Sequence, residues 1–96
     1  MIFARLEYIG DYTDKDERIL CCLEKEFKGV EHGYQSDSWI WITEGKEKVA
    51  VDSFSSMKHE VKCSIQGGSL VPKVIEVLKR EFHVIVYDEP KFESHE

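Results

Sequence analysis

The sequence predicts an α+β fold: a mostly antiparallel sheet with two helices packed on one of its faces. Three observations carry this. Two segments, about 13–28 and 69–82, repeat apolar residues at helical spacing, while the other patterned segments alternate with a period of two. Four strand-like segments follow one another across short punctuated turns, which antiparallel pairing allows and parallel pairing does not. The chain has 96 residues, enough for one core rather than two.

Residues 2–9 alternate, with Ile2, Ala4, Leu6 and Tyr8 on one side and Arg5 and Glu7 marking the wetter side, so this is a half-buried strand. Gly10-Asp11-Tyr12 turns the chain. Thr13 or Asp14 is placed to cap a helix, with Asp16 or Glu17 as the acidic partner three residues on. Ile19, Leu20, Leu23 and Phe27 share one face of that helix, Lys25 and Lys28 suit its C-terminal dipole, and Gly29 stops it. Strands are expected over 30–35, 38–43, 48–54 and 60–65, punctuated by Ser36-Asp37, Glu44-Gly45-Lys46-Glu47 and Ser55-Ser56-Met57-Lys58.

Gln66-Gly67-Gly68-Ser69 introduces the second helix, with Ser69 as the expected cap and Pro72 in the first turn, where a missing N–H does no harm. Val71, Val74, Ile75, Leu78 and Phe82 form its apolar stripe. His83–Tyr87 reads as a last, buried strand. The order is β-α-β-β-β-β-α-β, for which an elaborated ferredoxin-like sandwich is the first topology to consider. Residues 1–88 make one domain, and 89–96 a polar tail that frays.

Composition narrows function. Hydrophobic residues at 42% and charged residues at 33% suit a soluble globular protein. Thirteen Lys and Arg against 19 Asp and Glu give a formal charge of −6, which disfavours nucleic acid and suits a basic partner. No apolar run reaches the roughly 20 residues of a membrane span, and the N-terminus MIFARLEYIG lacks the pattern of a signal peptide. Cys21, Cys22 and Cys63 are odd in number and form no CxxC, so reduced thiols and a cytoplasmic location are expected.

The stretch Ser38-Trp39-Ile40-Trp41-Ile42 sets the most informative question. Alternation puts both tryptophans on one face and both isoleucines on the other. With Glu44–Glu47 as the turn, Ile42 opposes Val49, Trp41 opposes Ala50, Ile40 opposes Val51 and Trp39 opposes Asp52. Keeping Lys62 out of the core then places Cys63 beside Val51 and Ile65 beside Val49, with a five-residue connection from Ser55 to His59. The aliphatic rows receive the helices. Trp39, Trp41, Ala50, Asp52, Lys62 and Ser64 share the opposite face and form the candidate interaction surface, on which Asp52 pairs with Lys62. Three covers suit the indoles: the stems of Lys48 and Lys62 with Phe92 of the tail, a second copy of the sheet, or another partner.

No catalytic, cofactor or metal site is expected. His32, His59, His83 and His95 show no zinc spacing. The charges around Cys21 are mixed rather than electropositive, and Cys63 falls in the expected core. Gly67-Gly68-Ser69 matches no phosphate-binding loop and reads as a turn needing positive φ. The expectation is a small acidic, non-enzymatic protein that works by association, as a homodimer through the tryptophan face. The alternatives are an immunity- or inhibitor-type protein that neutralises a basic partner, and a small-molecule binder using the Trp39, Asp52 and Lys62 surface.

Overall fold

The computed structural model describes residues 1–35, 37–54, 58–65 and 68–92, with the side chain of Gln35 omitted. It is an α+β fold in the expected element order: β1 (Ile2–Glu7), α1 (Tyr12–Glu24), β2 (Val30–Gln35), β3 (Asp37–Glu44), β4 (Glu47–Asp52), β5 (Glu60–Lys62), α2 (Leu70–Lys79) and β6 (His83–Lys91). The six strands form one antiparallel sheet in the order β2-β3-β4-β5-β1-β6. β2 to β5 are a meander. Two crossovers enclose it: α1 carries the chain from β1 to the far edge at β2, and α2 carries it from β5 across β1 to β6.

One core lies between the sheet and both helices. Ile40, Ile42, Val49, Val51 and Val61 meet Ile19 and Leu23 of α1 and Val74 and Leu78 of α2, all fully buried or nearly so. Burying such side chains is worth roughly 1.5–3 kcal/mol each. The face assignment of β3 follows the sequence pattern, and the β3–β4 register agrees with it residue for residue from Trp39–Asp52 to Thr43–Lys48.

The β4–β5 register differs from expectation. Val51 faces Val61, not Cys63, and Ala50 faces Lys62. The strand stops at Lys62, so Ile65, expected beside Val49, is 48% exposed. The physical reason is that alternation fixes which face a residue takes but not the absolute register; a slip of two leaves every face unchanged. The connection therefore spans 53–59, of which Ser55, Ser56 and Met57 lie outside the described residues. Lys62 itself, expected at the surface, is only 4% exposed, although it does lie on the face away from the helices.

Local corrections have local causes. Asp11, not Thr13 or Asp14, is the N-cap of α1; its carboxylate accepts the Thr13 N–H at 2.9 Å, and Asp14 returns the bond to the Asp11 N–H. α1 ends at Glu24, before Phe27, whose N–H still reaches the Leu23 carbonyl at 2.9 Å. β6 runs to Lys91, past the expected end at Tyr87 and into the expected tail; residues 93–96 lie outside the described set. Gly45 takes the positive φ of the β3–β4 turn. Gly67 is not described, and Gly68 does not need positive φ; its constraint is the Glu47 carboxylate packed where a side chain would begin.

One irregularity redistributes the faces of β1. Between Ile2 and Ala4 β1 advances two residues while β5 advances one. Phe3 thereby packs against the helix-side core, and Ile2, opposite Lys62, is buried outside that core cluster.

Candidate binding surface on the open sheet face

The sheet face away from the helices carries Trp39 and Trp41, and the strands on either side leave room for them. Trp41 lies between Glu31 and Ala50, Trp39 between Gly33 and Asp52. The indole of Trp39 rests over Gly33. The two rings stack with centroids 4.4 Å apart and planes 35° from parallel, and both are half-buried. Lys48 places Nζ 3.5 Å from the centre of the Trp41 ring. Of the three covers considered from sequence, the Lys48 stem is present. Phe92 is 77% exposed and does not cover the rings.

Beside the tryptophans, Lys62 Nζ donates to Asp52 Oδ1 at 2.5 Å and lies 3.9 Å from Glu60 Oε1, with all three side chains nearly or fully buried. Asp52 Oδ1 also accepts the Phe54 N–H at 3.2 Å. A recess of about 280 Å³ opens there, lined by Trp41, Lys48, Ala50, Asp52, Lys62 and Ser64, together with Met1 and Cys63. Five of the six residues singled out from sequence meet in one concavity, and the sixth, Trp39, stacks on its wall.

Sequence reasoning missed a second polar cluster, buried on the helix side of the sheet at the start of β3. His59 and Ser38 are fully buried. Tyr8 Oη lies 2.8 Å from His59 Nδ1, and His59 Nε2 is 3.2 Å from both Asp16 Oδ1 and Ser38 Oγ. Ser38 Oγ also donates to Asp16, and the His59 backbone N–H donates to Tyr8 Oη at 3.2 Å. Burial pushes the Tyr8 hydroxyl up to about 12, so it stays protonated beside Nδ1. Burial alone would raise the Asp16 carboxyl, but the hydrogen bonds from His59 and Ser38 outweigh it and hold the group below its ordinary value. The signal available was Ser38 itself, a hydroxyl in the inward row Ser38, Ile40, Ile42 that required a buried partner.

This Ser–His–Asp grouping is not arranged as a nucleophile. In a hydrolytic triad the serine and the carboxylate occupy different nitrogens of the imidazole. Here both share Nε2, the hydroxyl is sealed from solvent, and Tyr8 takes Nδ1. The cluster ties the end of β1, α1, the start of β3 and the residue before β5 together. Among the described residues no group of three His, Cys, Asp or Glu is placed to hold a metal ion, and no helix is long and apolar enough to cross a membrane. No protein-family model matches this chain, and neither a curated protein nor a solved structure matches it.

Proposed function

We propose that this protein acts by association rather than catalysis, as a homodimer formed through the tryptophan-bearing face of its sheet. The observation that carries the reading is the stacked Trp39–Trp41 pair, fixed by Gly33 beneath it and Lys48 over it. Preset aromatic rings lose little entropy on docking and are the commonest interface anchors. The surrounding charges are self-complementary. Exposed Glu31 flanks the pair on the β2 side, level with Trp41, and exposed Lys48 on the β4 side, level with Thr43. A two-fold axis running along β3 therefore brings Glu31 of one copy to the side of Lys48 of the other, two residues further along the strand and within reach of its long side chain. The recess of about 280 Å³ falls just below the roughly 300–1,000 Å³ usual for small-molecule pockets and suits a single inserted side chain better. Three unpaired cysteines fit a reducing compartment, so the cytoplasm is the proposed location.

Sedimentation velocity with far-UV circular dichroism tests this. The wild type is expected to be dimeric, and Trp39→Lys with Trp41→Lys to give a folded monomer. Because that change could disturb the sheet, the charge pair offers a gentler arm: Lys48→Glu separates the copies, and adding Glu31→Lys restores them. A monomeric wild type, or a dimer indifferent to Lys48→Glu, overturns the proposal. A wild-type monomer that captures a basic protein in a salt-sensitive manner would favour the inhibitor-type reading suggested by the charge of −6.

A further inference from the structure

β6 closes the sheet, and among the described residues no strand pairs with its outer edge. Its first residues, His83 to Val86, run in regular register against Glu7 to Ala4 of β1. Beyond Val86 the pairing breaks: β6 advances five residues to Lys91 while β1 advances only two, from Ala4 to Ile2. A bulge of that size and Pro90, which has no N–H, protect the far half of the edge from long strand pairing. The regular window left open is short.

Beside that window, on the helix side, a recess of about 300 Å³ separates β6 from α2. Phe3, Val71, Ile75 and Val86 supply apolar walls, and Glu76 and Lys79 stand on the α2 side. Val86 is 46% exposed, a β-branched side chain pointing into space that neither helix fills. Edge backbone groups recognise extended backbone, and an adjoining pocket selects alternate side chains.

We propose that this groove binds an extended peptide of another protein, which adds to His83–Val86 as a seventh strand and seats one apolar side chain between Val86 and Ile75. The interrupted edge is what favours a short peptide over a second copy of the sheet, whose edge would meet the bulge within a few residues. One acid and one base flank the groove, so the peptide needs no net charge; main-chain bonds supply affinity and the apolar residue supplies specificity.

The test begins by panning random octapeptides displayed on phage against the immobilised protein. An enriched sequence is then synthesised and titrated into isotopically labelled protein. The peptides are expected to share an apolar residue in an alternating pattern, to shift the amides of His83–Val86 and slow the exchange of those that face away from β1, and to shift residues 71–79. Val86→Lys, at an exposed position, should weaken binding by roughly tenfold or more, as loss of one buried valine contact implies. Lys48→Glu should leave binding unchanged, which separates this surface from the tryptophan face. Absence of enriched peptides, shifts centred on Trp39 and Trp41, indifference to Val86→Lys, or pairing of His83–Val86 with a second copy without peptide would each overturn the proposal.

Discussion

Trp39 lies across Gly33 of the neighbouring strand and occupies the volume in which a side chain at position 33 would start. Replacing glycine by alanine inside a strand ordinarily stabilises it, because glycine carries the larger entropy loss on folding. Here the sign reverses. A methyl group at 33 overlaps the indole, which is also in ring contact with Trp41, centroids 4.4 Å apart. Gly33→Ala should cost about 1–3 kcal/mol, the usual penalty of overpacking, and should alter near-UV circular dichroism through the displaced ring. A stabilised Gly33→Ala would show that the indole does not rest there.

Much of this was legible in the sequence because it depends on parity. The alternation of Trp39, Ile40, Trp41 and Ile42 decides faces, and the turn Glu44–Glu47 decides the β3–β4 register, so both emerge from local residues. What depends on distant partners did not emerge. The β4–β5 register is tied to the buried His59, whose carbonyl accepts the Leu6 N–H at 2.9 Å and whose ring meets Tyr8, Asp16 and Ser38. Lys62 reads as a surface residue in any local window; only the assembled sheet shows it enclosed with Asp52 and Glu60. That Trp39, Trp41, Ala50, Asp52 and Lys62 share one face follows from alternation, which a two-residue slip does not disturb; the recess among them, lined also by Met1 and Cys63, does not.

The cap of α2 illustrates the same limit. Ser69 occupies the N-cap position, but its side chain makes no capping bond. The Leu70 N–H donates instead to Glu47 Oε1 at 3.0 Å, and Ser69 Oγ donates to Glu47 Oε2 at 3.1 Å. Glu47→Ala should therefore destabilise the protein by about 1 kcal/mol, as removal of a helix cap does, and Ser69→Ala by less. Urea denaturation of the two variants checks the order; a larger loss from Ser69→Ala would restore the serine as the cap.

Lys62 is held between two acids, 2.5 Å from Asp52 and 3.9 Å from Glu60. Removing the cation alone leaves carboxylates facing one another out of water, so Lys62→Met should cost about 3–5 kcal/mol. Adding Asp52→Leu and Glu60→Gln should recover most of that loss, because the penalty belongs to the stranded charges and not to the missing contact. Chemical denaturation of the single and triple variants measures both. A single variant as stable as the wild type would mean that the three groups are well solvated.

Asp16 should make stability depend on pH. Its folded-state carboxyl is held low, net of burial, by hydrogen bonds from His59 and Ser38. The unfolded chain then binds the proton more readily than the folded one, so this contribution is full above the ordinary aspartate range and disappears as pH falls through the lowered value. Asp16→Asn removes the charge at all pH values. The stability gap between wild type and Asp16→Asn is therefore expected to be widest near neutrality and to close in acid. A gap that stays constant from neutral to acid pH would assign the effect to packing instead.

The three thiols should react in an order set by access and ionisation. Cys21 is exposed, whereas Cys22 and Cys63 are buried. Burial, aided by Glu81, pushes the Cys22 thiol up to about 11, so little of the reactive thiolate exists at neutral pH even when the site opens transiently. Cys63 packs with its Sγ 3.3 Å from the Lys48 carbonyl, under the hairpin that carries the tryptophan face. In the native protein a thiol-specific reagent should label Cys21 first and one group per chain, with the other two reacting only as denaturant unfolds the molecule. Cys63→Ala should destabilise more than Cys21→Ala, since only the former opens a cavity in the core. Mass spectrometry of labelled peptides against time reads the order. Early labelling of Cys63 would show that β5 and the strands beside it open well below the global unfolding energy, and with them the sheet that positions Trp41 and Lys62.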